Sequence, residues 1–244
     1  MLILGIIPAR FASTRFPGKP LVDIAGKSMI QRVYEQAKQA SALDEVIVAT
    51  DDDRILSHVM EFGGRAILTS TEHQSGTDRC AEVAEKILGF DAIINIQGDE
   101  PFIDPRQINI LTTCFAEPET VLATLVKKIE TAEELNNPNI PKVILNNRSE
   151  AVYFSRAPIP YFRGKDRARW QDEHSYYKHI GIYGYRIDTL KTISSLPVSS
   201  LEKAEALEQL RWIENGYRIR AASTTIETIA VDTPEDLERM LKGL

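Results

Sequence analysis

The sequence predicts an α/β fold: three layers, with a mostly parallel sheet between two sets of helices. Three observations lead there. The first hundred residues alternate between strand-like and helix-like patterns. The opening run Leu2 to Ile7 is apolar at every position, as a strand covered on both faces requires. Glycines and capping residues punctuate the pattern where helices should stop and start.

Taken in order, Leu2 to Ile7 is the first strand and Met29 to Ala40 has helical spacing through Ile30, Val33, Tyr34 and Ala37. Glu45 to Thr50 is a second strand. Asp52 to Phe62 is helical and stops at Gly63-Gly64. Ala66 to Leu68 is a short strand, Asp78 to Leu88 a helix and Ala92 to Ile96 another strand. Beyond these, Val121 to Val126, Lys142 to Leu145 and Ala151 to Phe154 read as strands, and Arg163 to Glu173 as a charged, mobile excursion. Leu201 to Glu214 is predicted as one strong helix, with Ser199 and Glu202 spaced as a capping box and Gly216 at its end. Ile219 to Ala222 and Ile229 to Val231 are predicted strands. Pro234 to Leu241 closes the chain as a helix capped by Thr233, with proline at the first helical position.

Composition narrows the function. The 244 residues are 43% hydrophobic and 26% charged, ordinary for a soluble globular protein. The net charge of −6 argues against a nucleic-acid partner, since binding a phosphate backbone needs a basic face. It leaves room for a nucleotide as a small substrate. The apolar N-terminus is short and cut off by Pro8-Ala9-Arg10, so a membrane span or signal peptide is not expected. Cys80 and Cys114 have no metal-like spacing and fit a reduced, cytoplasmic setting.

Three segments carry chemistry. In Ile7 to Leu21, IPARFASTRFPGKPL, a strand ends in a loop holding Arg10, Arg15 and Lys19 among Ser13, Thr14 and Gly18. Such a loop is either a solvated basic turn or a phosphate cradle beyond the carboxyl end of a strand. It is not a Walker loop, because Gly18-Lys19 and Gly26-Lys27 lack a glycine five residues earlier. In Asn95 to Pro101, NIQGDEP, an apolar strand runs into a glycine turn and two acids, which favours Asp99 as a ligand of a hard cation over a plain acidic turn. In Ala230 to Asp236, AVDTPED, Asp232 ends a short apolar run and becomes a second carboxylate if it reaches the same sheet edge. Asp51-Asp52-Asp53 reads as a helix start with its acids near the positive end of the dipole.

These segments, with HQSGTDR, YFSRAPIP, HIGIYGYR and LEKAEALEQLRW, resemble the Kdo cytidylyltransferases (CMP-Kdo synthetases) in order and spacing, from the first strand to the last helix. The resemblance implies a Rossmann-like nucleotidyltransferase fold in a single domain, residues 1–244. Residues 1–127 would be the nucleotide-binding half, 128–225 a smaller sugar-binding and dimerisation region, and 226–244 a closing strand and helix. It implies a Mg²⁺-dependent homodimer that takes CTP and Kdo (3-deoxy-manno-octulosonate), with CMP-Kdo and pyrophosphate as products, for lipopolysaccharide biosynthesis. Arg10, Lys19, Asp99 and Asp232 would be catalytic, and Asp99 and Asp232 the metal ligands. The nucleotide set would be Ala9, Arg10, Ser13, Lys19, Gln74, Ser75, Gly76 and Asp99. The sugar set would be Arg15, Arg79, Gln97, Arg156, His179, Tyr183, Glu208 and Gln209. The chain departs from the usual pattern at Ile140-Pro141-Lys142 and at Asn146 to Glu150, both outside the core motifs.

Some of these residues carry weight of their own. Arg156 suits a sugar carboxylate, for which a guanidinium fork is apt. His174 and His179 are spaced wrongly for zinc, and His179 reads as a neutral hydrogen-bonding group. Glu208 would share an apolar stripe with Leu201, Ala204 and Trp212 on a continuous helix, a costly place for an unpaired carboxylate. Rival readings are the same transfer to sialic acid or an amino-substituted Kdo, a silent nucleotide sensor, and a glycosyltransferase.

Overall fold

The computed structural model describes residues 1–12 and 16–242. The chain divides into two compact units. The first comprises Met1–Thr112, Gly184–Ser194 and Thr228–Leu244, and the second Thr113–Tyr183 and Ser195–Glu227.

In the first unit, β1 (Ile3–Ala9) lies between β4 (Glu45–Thr50) and β6 (Ala92–Asn95), and β5 (Ala66–Leu68) follows β4. All these pairings are parallel. Leu4, Ile6 and Ile7 are fully buried, which is why β1 is apolar at successive positions instead of alternating. Helices α1 (Met29–Ala37), α2 (Asp53–Glu61) and α3 (Gly76–Lys86) supply the crossovers, and a small hairpin of β2 (Asp23–Ile24) and β3 (Lys27–Ser28) precedes α1. Each crossover helix starts on a side-chain cap: Ser28, Asp52 and Ser75 accept from backbone N–H groups of the first turn. The register pairs Ala9 with Thr50, so Arg10 and Asp51 leave neighbouring strand ends together.

Helix α4 (Pro105–Thr113), unforeseen in the sequence reading, follows β6 and opens on an Asp104-Pro105 pair. Helix α10 (Pro234–Leu241) begins as foreseen, with Thr233 and Asp236 forming a capping box and Pro234 in the first turn. Its Leu237 and Met240 pack against buried Ile24, Met29 and Val231. Ile229 to Val231 is not a strand. The Val231 N–H donates to the Asp99 carbonyl at 2.9 Å, but its own carbonyl is taken by the Lys19 ammonium at 3.0 Å and not by a strand neighbour.

The second unit is built on β7 (Leu122–Lys128), which pairs in parallel with the late strand Arg220–Ser223. After the short α5 (Ala132–Asn136), β8 (Lys142–Leu145) runs antiparallel to β9 (Ala151–Ser155). The segment expected to be a mobile excursion holds a 3-10 turn, Arg167–Arg169, and α6 (Trp170–Glu173). Trp170 fastens it, 3% exposed among Ile129, Leu135 and Tyr176, so one indole outweighs the surrounding charges. Strand β10 (Tyr177–Arg186) pairs antiparallel with β8 and leads the chain back into the first unit. There α7 (Ile187–Ser194) packs on α3.

The predicted helix Leu201 to Glu214 is broken. It forms α8 (Ser200–Glu205) and α9 (Gln209–Glu214), with Ala206 between them at φ +50°. The backbone carbonyls at the break are claimed from outside: the Arg156 guanidinium donates to the carbonyls of Glu205 at 2.6 Å and Ala206 at 3.2 Å. The Glu205 carboxylate accepts from Ser155 Oγ at 2.6 Å and from the Arg156 N–H at 2.9 Å. Leu201 and Ala204 therefore do not continue the helical face of Glu208, which correlates only with Trp212 one turn on. The last strand, β11 (Arg220–Ser223), is the one that pairs with β7.

Candidate active site

In the first unit a cleft of about 420 Å³ opens at the carboxyl ends of β1 and β6. Pro8, Ala9, Arg10, Lys19, Gly76, Arg79, Gln97, Gly98 and Asp99 line it. Gly98 is obligatory for its shape: a Cβ there would sit 2.7 Å from the Pro8 carbonyl oxygen, so only glycine lets the β6 turn pack on the end of β1. Gly76, in the first turn of α3, brings a capped helix N-terminus, the positive end of that helix's dipole, to the same cleft.

The basic loop that leaves β1 closes through a hydrogen bond from the Gly18 N–H to the Phe11 carbonyl, 3.0 Å. Gly18 adopts φ +72°, which glycine enters without a Cβ clash, and this turns the chain into the 3-10 turn headed by Lys19. The Lys19 ammonium then lies 2.8 Å from Asp99 Oδ2 and 3.6 Å from Asp232 Oδ1. Two acids 133 positions apart in the sequence thus converge on one cation. Ser13 and Arg15 lie outside the described residues.

Asp51 pairs with two cleft-lining arginines, Arg10 and Arg79, a placement the sequence does not foretell. Asp52, not Asp51, caps α2. Asp51 Oδ2 instead accepts from Arg79 Nη2 at 2.8 Å and lies 3.8 Å from Arg10 Nε. Arg79 is fully buried; its Nη1 donates to Thr69 Oγ1 at 2.5 Å and to the Ser70 carbonyl at 3.2 Å. Its Nε is buried with no hydrogen-bond partner among the described residues. The only sequence signal was position: an acid one residue past β4, beside a basic residue one past β1.

The segment Thr71 to Thr77 is pinned from α3. Glu82 accepts from the Ser70 N–H at 2.8 Å, pairs with Lys86 at 2.5 Å and contacts His73 Nε2. Burial alone would raise the Glu82 carboxyl, but Lys86, the Ser70 N–H and His73 prevail and hold it down at about 2. Gln74 is exposed, and its amide donates to the Glu72 carbonyl. Glu100, next to Asp99, is pushed up to about 6 by burial, against its hydrogen bond from Thr228 and with the Asp99 charge adding to the rise.

The remaining residues foreseen for the sugar belong to the second unit. Arg156 spends three donors on backbone carbonyls, those of Glu205, Ala206 and Pro138. It stands beside the break that precedes Glu208 and Gln209, which open α9. His179 Nε2 is 2.9 Å from Thr124 Oγ1, and its ring is 5.1 Å from that of Tyr183, which meets Trp212 edge-on. Burial pushes the His179 imidazole down to about 3, so it is neutral at physiological pH. Arg79 and Gln97, foreseen in the sugar set, line the first unit's cleft with Arg10 and Lys19.

Comparison with known proteins shows the family. The family model described as cytidylyltransferase matches residues 4–226. The chain is 58% identical to the 3-deoxy-manno-octulosonate cytidylyltransferase of Parabacteroides distasonis, over 100% of this chain and 98% of that protein. It is 50% identical to that of Geobacter sulfurreducens over the whole of both. A solved structure of CMP:2-keto-3-deoxy-manno-octonic acid synthetase complexed with CTP is 46% identical, with a TM-score of 0.92 over 99% of this chain and 98% of that chain. A glucose-1-phosphate thymidylyltransferase from Bacillus anthracis, 16% identical with a TM-score of 0.66 over 98% and 94% of the two chains, shares the fold alone. The chain belongs to the cytidylyltransferase family, among its 3-deoxy-manno-octulosonate members.

Proposed function

We propose that this protein transfers CMP from CTP to the anomeric hydroxyl of Kdo, giving CMP-Kdo and pyrophosphate for lipopolysaccharide biosynthesis. The observation that carries the reading is the convergence of Lys19, Asp99 and Asp232 beside a cleft lined by Arg10 and Gly76. The sugar oxygen attacks the α-phosphorus, the bond from that phosphorus to the β-phosphate bridge breaks, and the hydroxyl proton passes to water. Arg10, Lys19 and the N-terminus of α3 supply fixed positive potential for the triphosphate. Arg156, His179, Tyr183, Glu208 and Gln209 orient the acidic sugar. Holding two anions in attack geometry accounts for much of the rate.

Asp99 and Asp232 fit Mg²⁺. Their oxygens already converge on one positive group, and no set of three or more His, Cys, Asp or Glu among the described residues is placed to hold a metal alone. Phosphate oxygens and water would complete the shell, as this ion prefers. Bound there, Mg²⁺ would act as Lewis acid and template for the phosphates. A homodimer working in the cytoplasm is part of the same proposal; among the described residues no helix is long and apolar enough to cross a membrane.

The test is pyrophosphate release from CTP with Kdo, amino-substituted Kdo and sialic acid, each with Mg²⁺ and with chelator. Release with Kdo that chelation abolishes supports the reading. Faster release with another sugar moves the substrate, and CTP binding without release makes the protein a sensor.

A further inference from the structure

We infer that Thr124 is a positioning residue that locks His179 in the Nε2–H tautomer, making Nδ1 a hydrogen-bond acceptor for a hydroxyl of the sugar substrate. Thr124 is fully buried in β7. Its Oγ1 lies 2.8 Å from the Ile182 carbonyl and 3.3 Å from the Ile180 carbonyl, and 2.9 Å from His179 Nε2. A hydroxyl has one proton to give. Carbonyl oxygens only accept, and two oxygens at 2.8 Å with no proton between them repel, so the proton goes to a carbonyl. The hydroxyl must then accept from the ring, which puts the imidazole proton on Nε2.

The ring is held in that orientation on several sides. Phe154 meets it edge-on with centroids 5.2 Å apart, Tyr183 lies 5.1 Å away, and the His179 backbone N–H is tied to the Pro141 carbonyl at 2.9 Å. With the proton on Nε2, Nδ1 carries the ring's acceptor lone pair, and that is what the imidazole offers a ligand. A neutral acceptor repels a carboxylate and takes a hydroxyl. The subsite at His179 therefore reads a hydroxyl, and the acid group of the sugar must be held elsewhere. The second half of the inference rests on the Kdo reading; the tautomer does not.

Long-range proton–nitrogen correlation spectra of the histidine-labelled protein decide it, with the His179 signals identified among the four histidines by their loss in His179→Gln. The expected result is an unprotonated Nδ1 and a protonated Nε2, with Nδ1 shifting when Kdo is added. Thr124→Ser should keep both features. Thr124→Val should lose the fixed tautomer and raise the KM for Kdo about fivefold, the scale of one neutral hydrogen bond, with less effect on kcat and none on the KM for CTP. A protonated Nδ1 in the wild type overturns the inference, whether or not the valine variant folds. The stated tautomer with no response to Kdo overturns the acceptor role, and turnover on the same sample shows whether the Kdo reading has fallen with it.

Discussion

Replacing Lys19 with alanine should slow turnover and, in the absence of nucleotide, tighten the binding of Mg²⁺. The two effects have opposite signs because the ammonium serves two partners. It lies 2.8 Å from Asp99 and 3.6 Å from Asp232, with only 15% of its side chain exposed. A charge pair at about 4 Å is worth about 4 kcal/mol at an effective dielectric of about 20, before desolvation. In turnover, losing one preorganised cation near the triphosphate should cost about a hundredfold or more, about 3 kcal/mol. In metal binding, removing a resident competitor should strengthen affinity. Asp232 is 43% exposed, so screening reduces the gain to about 1 kcal/mol, or several-fold. Pyrophosphate release measures the first and calorimetric Mg²⁺ titration of the nucleotide-free protein the second. Normal turnover with altered Kdo affinity would put Lys19 in the wrong subsite, and weaker metal binding would refute the competition between ammonium and metal.

Two further outcomes concern stability. Asp51→Ala leaves the fully buried Arg79 guanidinium without its carboxylate and should cost about 3–5 kcal/mol; Asp52→Ala, one residue on, removes a helix cap and should cost about 1 kcal/mol. Equal losses in denaturant titrations would show that the two acids do the same job. The second outcome is pH-dependent. His179 is depressed to about 3 when folded against about 6.5 unfolded, so between those values the unfolded chain binds the extra proton and stability falls as pH falls. From pH 7 to pH 4 the wild type should lose about 3 kcal/mol relative to His179→Gln, and parallel losses would show that the histidine titrates normally.

The parallel core was legible because it obeys local rules. Glu45–Thr50 and Ala66–Leu68 fall where apolar runs and glycine stops put them, and Pro234–Leu241 starts on its cap. Helix α4 has a local signal as well, the Asp104-Pro105 pair at its start. The rest was decided at a distance. Nothing near Asp51 announces Arg79, 28 positions away, and nothing near Arg163 to Glu173 announces that Trp170 will bury itself beside Tyr176. The apolar run before Asp232 reads as a strand because hydrophobicity cannot tell a ladder from a single backbone bond to Asp99.

The broken helix makes that division testable. Ser199 to Gly216 satisfies the local rules for one helix, with a capping box at one end, glycine at the other and no breaker between. Yet Ala206 sits at φ +50°, ψ +50°, a conformation that costs an alanine about 1 kcal/mol and a glycine almost nothing. What holds it there is Arg156, which takes the Glu205 and Ala206 carbonyls, and the Glu205 carboxylate, which ties back to Ser155 and Arg156. Ala206→Gly should therefore act in opposite directions in two contexts. In the whole protein it relieves the strain, and denaturant titration should show a gain of about 0.5–1 kcal/mol. In an isolated peptide of residues 199–216, where Arg156 is absent, glycine in mid-helix costs about 1 kcal/mol, and circular dichroism should show less helix. Destabilisation in both contexts would mean that the segment prefers a continuous helix in the protein too, and that Arg156 does not hold the break open.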